Sequence, residues 1–131
     1  MSRIYFDTCI VIYLIEKDPA YFTKIEDLNL GRSSNELCFS PLVEMECLVM
    51  PLRKNDEPVK KLFQNFFDAH CRLPISSQIF HDAAQLRADF PSLKTPDALH
   101  LATSLHYNCD EFWTNDGRLD NIAPKLVRNI L

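Results

Sequence analysis

Glycine is almost absent from this chain, with two in 131 residues. Neither Gly31 nor Gly117 belongs to a G-x-x-x-x-G-K pattern, so a glycine-rich loop that cradles phosphates is excluded. There is no G-x-S-x-G elbow to present a nucleophilic serine. The five cysteines are odd in number and lack any C-x-x-C spacing, which points to buried free thiols rather than a disulfide framework and speaks against a zinc site. Long apolar runs are missing too. The longest, Cys9 to Ile15, is far below the ~20 residues that span a bilayer. Met1-Ser2-Arg3-Ile4-Tyr5 leads straight into a strand pattern without a signal peptide's apolar region, so the expected location is cytoplasmic, with no membrane. Nor is there an excess of positive charge. Fourteen Lys and Arg against eighteen Asp and Glu give a net charge of -4, which argues against holding nucleic acid by bulk charge.

What is present fits one domain, residues 1–131, around one core, since 47% hydrophobic content is ordinary for a globular chain. Short β-prone runs alternate with helical patterns. Ile4-Tyr5-Phe6 reads as a strand ending at Asp7, and Thr8 to Glu16 as a buried helix before Pro19. Ser33 to Glu36 reads as a turn, Leu37-Cys38-Phe39 as a second strand, and Ser40-Pro41 as the cap and first residue of a helix from Leu42 to about Arg53. After the polar break Lys54 to Pro58, the residues Val59, Leu62, Phe63, Phe66, Phe67 and His70 recur at helical spacing as a core stripe. Arg72-Leu73-Pro74-Ile75 suits a short edge strand, because proline has no donor for a central one. Ser76 or Ser77 caps a helix through about Asp89, with Ile79, Phe80, Ala83, Leu86 and Phe90 inward. Thr95 is the expected cap of the next helix, which ends near Asn108. Glu111 to Thr114 is a strand, Asn115-Asp116-Gly117 a turn, and Leu126 to Ile130 a closing strand. This alternation predicts an α/β fold, a central mainly parallel sheet flanked by helices in three layers.

Four acids sit where secondary structure and charge conflict. Asp7 and Asp116 stand at the carboxyl ends of strands, where ligands bind in open α/β sheets, although Asp7 also suits an N-cap and Asp116 common turn chemistry. Asp97 lies in the first turn of an otherwise apolar helix, where capping alone would account for it. At about 100° per residue, Glu46 falls on an apolar helix face between Leu42 and Met50, whereas Glu44 falls on the polar strip and is the solvated one. A buried carboxylate needs a partner: for Glu46 either Arg53 on the same face or a metal. Gathered together, the four would repel one another unless Mg2+ or Mn2+ occupied the site, and such a site suits phosphodiester hydrolysis. Two divalent cations would also leave the protein formally neutral. His100 follows Asp97 by three residues but reads chiefly as core packing.

The pieces Tyr5-Phe6-Asp7-Thr8, Ser40-Pro41-Leu42-Val43-Glu44-Met45-Glu46-Cys47-Leu48, Thr95-Pro96-Asp97-Ala98-Leu99-His100-Leu101-Ala102 and Phe112-Trp113-Thr114-Asn115-Asp116, in that order, make the chain resemble the PIN-domain family, specifically its VapC-type ribonuclease toxins. The resemblance covers almost the whole chain. It implies that Asp7, Glu46, Asp97 and Asp116 form an acidic metal-binding and catalytic set, with Thr8 and Thr114 or Asn115 in support and Asp120 as an auxiliary ligand. It further implies a Mg2+- or Mn2+-dependent endoribonuclease with an RNA substrate, a cognate antitoxin partner and a homodimeric state. Arg53, Lys54, Arg87 and Arg118 are candidate phosphate contacts. The competing reading is a PIN-like module that binds RNA or protein without turnover.

Overall fold

Three buried triplets form the middle of the sheet. In β1 (Arg3–Phe6), β2 (Glu36–Phe39) and β4 (Glu111–Thr114) the first residue is half-buried and the next three are buried. Consecutive rather than alternating burial means that both faces are covered, as parallel sheets require. The computed structural model describes residues 2–30 and 34–130. Its sheet runs β3-β2-β1-β4-β5, with β3 Cys71–Arg72 and β5 Val127–Asn129 at the edges. Every pairing is parallel.

The register determines which helices each side chain meets. Tyr5 pairs with Cys38 and Phe112, and on their face Tyr5 stacks on Phe112 at 5.2 Å and meets the ring of His100, in α6 (Thr95–His106), at 5.7 Å. The alternate residue Phe39 points the other way, its ring 4.9 Å from that of Phe67 in α4 (Glu57–Ala69). With α4 pack α1 (Thr8–Ile15) and α3 (Pro41–Arg53), while α5 (Ser77–Asp89) packs on α6. The result is the predicted three-layer α/β arrangement. A further helix, α2 (Phe22–Leu30), packs against α1. Its pattern after Pro19 did not stand out in the sequence. No helix among the described residues is long and apolar enough to cross a membrane.

Several local expectations shift. Of the expected turn over 33–36, Ser33 lies outside the described residues, Ser34 is in a turn, and Glu36 already belongs to β2. The edge strand is Cys71–Arg72 rather than 72–75, and the carbonyl of Pro74 accepts from the Tyr107 hydroxyl at 2.6 Å instead of joining a ladder. Thr95 is the first residue of α6, and Lys94 occupies the cap position. The Thr95 hydroxyl instead accepts from Arg87 at 2.9 Å. Ser40 does occupy the cap of α3, yet its hydroxyl bonds Tyr5 at 2.8 Å rather than the helix backbone. Leu62 and Phe80, expected inward, are exposed, whereas Phe63, Phe67, Ile79 and Ala83 carry the core contacts. Asn108 takes the left-handed conformation, φ 55°, just beyond α6, as its small polar side chain permits.

Candidate active site

β1 and β4 are neighbours, but the chain leaves β1 toward β2 and β3 on one side and reaches β4 and β5 on the other. That divergence opens a crevice beyond their carboxyl ends, the usual ligand position in such sheets. Asp7 and Asp116 follow β1 and β4 there, Glu46 reaches in from α3, and Asp97 comes from the first turn of α6. All four line one open cleft of ≈ 440 Å³, together with Thr8, Cys9, Ile12, His100 and Asn115.

Each acid is held differently. Asp7 is both an N-cap and a wall of the cleft, so the two sequence readings were not alternatives: its Oδ1 accepts from the Thr8 amide at 2.7 Å. Its Oδ2 accepts from the hydroxyl of fully buried Thr114 at 2.8 Å. The same Thr114 oxygen accepts from the Asp116 amide at 3.0 Å, so one hydroxyl ties the two strand-end acids together. Asp116 takes a fork from Arg118, at 2.9 Å to Oδ1 and 2.6 Å to Oδ2. That guanidinium, helped by Lys94, holds its carboxyl below the usual carboxylate range despite some burial. Asp97 is displaced in the opposite direction: burial first, then the charges of Asp7 and Asp116, push its carboxyl up. A carboxylate destabilised in this way gains most from a cation.

Glu46 has Thr8 and His100 as its partners rather than Arg53. Its Oε1 accepts from the Thr8 hydroxyl at 2.8 Å and bonds His100 Nε2 at 2.7 Å. Burial opposes its ionisation, yet these two hydrogen bonds outweigh it and hold the carboxyl below its ordinary value. His100 continues the chain inward, its Nδ1 bonding the Tyr5 hydroxyl at 2.7 Å, which in turn meets Ser40. With Glu46 ionised, Nε2 carries the hydrogen and Nδ1 accepts from Tyr5, the tautomer being assigned from this network. Burial pushes the Tyr5 hydroxyl well above its normal range, so it remains a donor. His100 is thus a buried core residue that is also part of the site, which the sequence reading missed. The available signal was its position one helical turn after Asp97, on the same face.

The remaining candidates scatter. Glu44 is paired with Arg72 rather than solvated. Asp120 does not line the cleft. Arg53 and Lys54 are exposed at the far end of α3, and Arg87 is spent on the Leu93 carbonyl and Thr95. Arg118 stays at the rim, where with Lys94 and Asp97 it lines an adjoining recess of ≈ 180 Å³. Asn115 holds the Tyr13 hydroxyl at 2.9 Å. Cys9 lies on the wall, but burial and then Asp7 push its thiol up to about 11, so it is no nucleophile.

The donor set is hard and anionic, which suits Mg2+ or Mn2+ over softer ions. Among the described residues no three of these four carboxylates bring oxygens within 4.8 Å of one another. That spacing suits an ion that the carboxylates hold partly through intervening waters.

The sequence matches the model of the PIN domain family over residues 4–125. The chain is a PIN-domain protein. Comparison with curated proteins gives no match. Solved PIN-type structures share its fold. VapBC2 from Rickettsia felis, bound to a promoter DNA fragment, superposes with a TM-score of 0.77 at 17% identity over 96% of this chain and 97% of that one. DNA-bound VapBC from Salmonella typhimurium gives 0.76 at 20% identity over 100% of both. VapC20 from Mycobacterium tuberculosis, described as a Sarcin-Ricin loop cleaving toxin, gives 0.73 at 15% identity over 90% and 93%. The PIN fold therefore spans nearly the whole chain, with the acidic cleft at its switch point.

Proposed function

We propose that this PIN-domain protein is a Mg2+- or Mn2+-dependent endoribonuclease, the cytoplasmic toxin of a toxin–antitoxin pair. The observation that carries the reading is the convergence of Asp7, Glu46, Asp97 and Asp116, from four separate elements, on one open cleft. The shared fold with toxin–antitoxin complexes and with a Sarcin-Ricin loop cleaving toxin supports it. Asp7, Asp97 and Asp116 would hold the divalent cation. When bound, the cation offsets charge on the phosphodiester oxygens and acidifies a water for in-line attack.

The chain's own residues supply the remaining steps. Thr8 and His100 occupy Oε1 of Glu46, which leaves Oε2 to orient the attacking water and take its proton. Because those donors hold Glu46 ionised, it is ready as a base at neutral pH. Thr114 fixes Asp7 and Asp116 relative to each other through a single hydroxyl, so the ligand positions are set before substrate arrives. Arg118 and Lys94 at the rim supply the local positive charge for phosphate that the whole chain lacks. Met45, Val49, Met50 and Leu52 give α3 exposed apolar side chains, a surface suited to the antitoxin or to a second copy in a homodimer.

The second reading, a binding module without turnover, draws on the Arg118 fork that occupies both oxygens of Asp116. Calorimetric titration with Mn2+ separates the two. The nuclease reading expects millimolar or tighter uptake that disappears in Asp7→Asn and Asp97→Asn; heat that is absent from the wild type, or unchanged in both variants, favours the binding module.

A further inference from the structure

Away from the acidic cleft, β2 and β3 carry a second cluster that begins at the amino end of β2. Glu36 opens β2, Cys38 lies two residues on and on the same face, and β3 places Cys71 beside Cys38 in register. One ligand atom from each of these three lies within 4.8 Å of the others, and among the described residues this is the one trio of His, Cys, Asp or Glu to do so. Glu36 Oε1 is already 3.5 Å from Cys38 Sγ. Ligands about 2.0 to 2.3 Å from a tetrahedral ion stand roughly 3.5 to 3.8 Å apart, so this pair needs no rearrangement, and Cys71, within 4.8 Å of both, a shift of at most about 1 Å. Cys38 is buried, whereas Glu36 and Cys71 are half-exposed and leave a way in.

We propose that Glu36, Cys38 and Cys71 form a binding site for a thiophilic divalent cation, Zn2+ or one of its chemical kin, separate from the acidic cleft. The charges support it. Two thiolates and a carboxylate carry three negative charges, which the cation and Arg3, 2.7 Å from Glu36, balance. The absence of a C-x-x-C motif is no obstacle, because strand pairing rather than local spacing brings the sulfurs together. The mechanical consequence is a staple. The ion fastens the two-residue edge strand β3 to β2, where the ladder alone offers few hydrogen bonds.

The test is anaerobic titration of the full, reduced chain with Co2+, followed by thiolate-to-cobalt charge-transfer absorption and by displacement with Zn2+. The expected result is saturation at one equivalent, bleached by Zn2+, with Cys38→Ser and Cys71→Ser each weakening affinity by ~10-fold or more. Cys71 is half-exposed, so its variant tests the site even if a change at buried Cys38 disturbs folding. Cys9→Ser, on the wall of the acidic cleft, and Asp7→Asn leave the absorption intact. Zn2+ also raises the melting temperature of the wild type and not of Cys71→Ser. No charge-transfer band in the reduced wild type, a band unchanged in both Cys38→Ser and Cys71→Ser, or one that vanishes with Cys9→Ser overturns the proposal. None of these outcomes bears on RNA cleavage in the acidic cleft.

Discussion

Replacing His100 by phenylalanine keeps a ring in the core while removing both of its polar edges. The imidazole links the buried Tyr5 hydroxyl, at 2.7 Å, to Glu46 Oε1, at 2.7 Å. A hydrogen bond to a charged group contributes ~1.5–3 kcal/mol net. The Glu46 side chain is 30% exposed, so water recovers part of that, leaving a loss of about 1–2 kcal/mol. Tyr5 keeps Ser40 as partner, and its lost bond adds roughly 0.5–1 kcal/mol. The expected destabilisation is therefore about 1.5–3 kcal/mol, measurable by urea unfolding. Its pH dependence has a definite sign. Glu46 is held below its ordinary value in the folded state, so the stability it contributes is complete above the unfolded value of about pH 4.3 and is lost as pH falls through the folded value. The gap between wild type and variant should accordingly narrow in acid. Carbon-detected NMR titration of Glu46 should show its carboxyl rising in the variant. The cleavage rate should fall by about 10- to 100-fold, with binding of RNA little changed, as for loss of a residue that orients a functional group. Wild-type stability across this pH range together with an unmoved Glu46 titration would refute the relay.

Three other outcomes follow from the same geometry. Asp97→Asn should stabilise the metal-free protein near neutral pH, because it removes a carboxylate whose pKa is raised by burial and by Asp7 and Asp116. That stabilising difference should shrink as pH drops through the raised value, seen in thermal melts with chelator present. Thr114→Val keeps the volume of a fully buried side chain but strips the hydroxyl shared by Asp7 and the Asp116 amide, and should cost ~1–3 kcal/mol in chemical unfolding and weaken Mn2+ uptake. Arg118→Ala should leave the melting temperature unchanged, because its pair with Asp116 is exposed, while removing the guanidinium from both Asp116 oxygens, Oδ1 keeping only the residue-118 amide, and tightening Mn2+ binding in calorimetry.

The parts of this molecule that could be read from the sequence are those decided by local pattern. Asp7 and Asp116 stood out because each ends a β-prone run, and Glu46 separated from Glu44 because one helical face is apolar and the other is not. What pattern could not supply are contacts between elements. Glu46 and His100 are 54 residues apart, and only the crossing of α3 and α6 over one cleft makes them partners. Ser40 and Thr95 have the chemistry of helix caps, but tertiary partners, Tyr5 and Arg87, claim their hydroxyls instead. Phe80 matched a helical stripe and still lies at the surface, since a stripe gives a face and not the depth at which the helix is seated. Cys38 and Cys71 meet through strand pairing, which residue spacing alone does not reveal.

The central claim is that the four carboxylates act together on an RNA phosphodiester. Cleavage of a defined RNA by the purified chain, run with Mn2+ and with excess chelator, and repeated with Asp97→Asn, tests it most directly. The wild type should cleave with Mn2+ alone, with chelator and Asp97→Asn each reducing cleavage by more than about 100-fold, beyond the loss expected for a merely supporting residue. Equal cleavage in all of these reactions would contradict the claim.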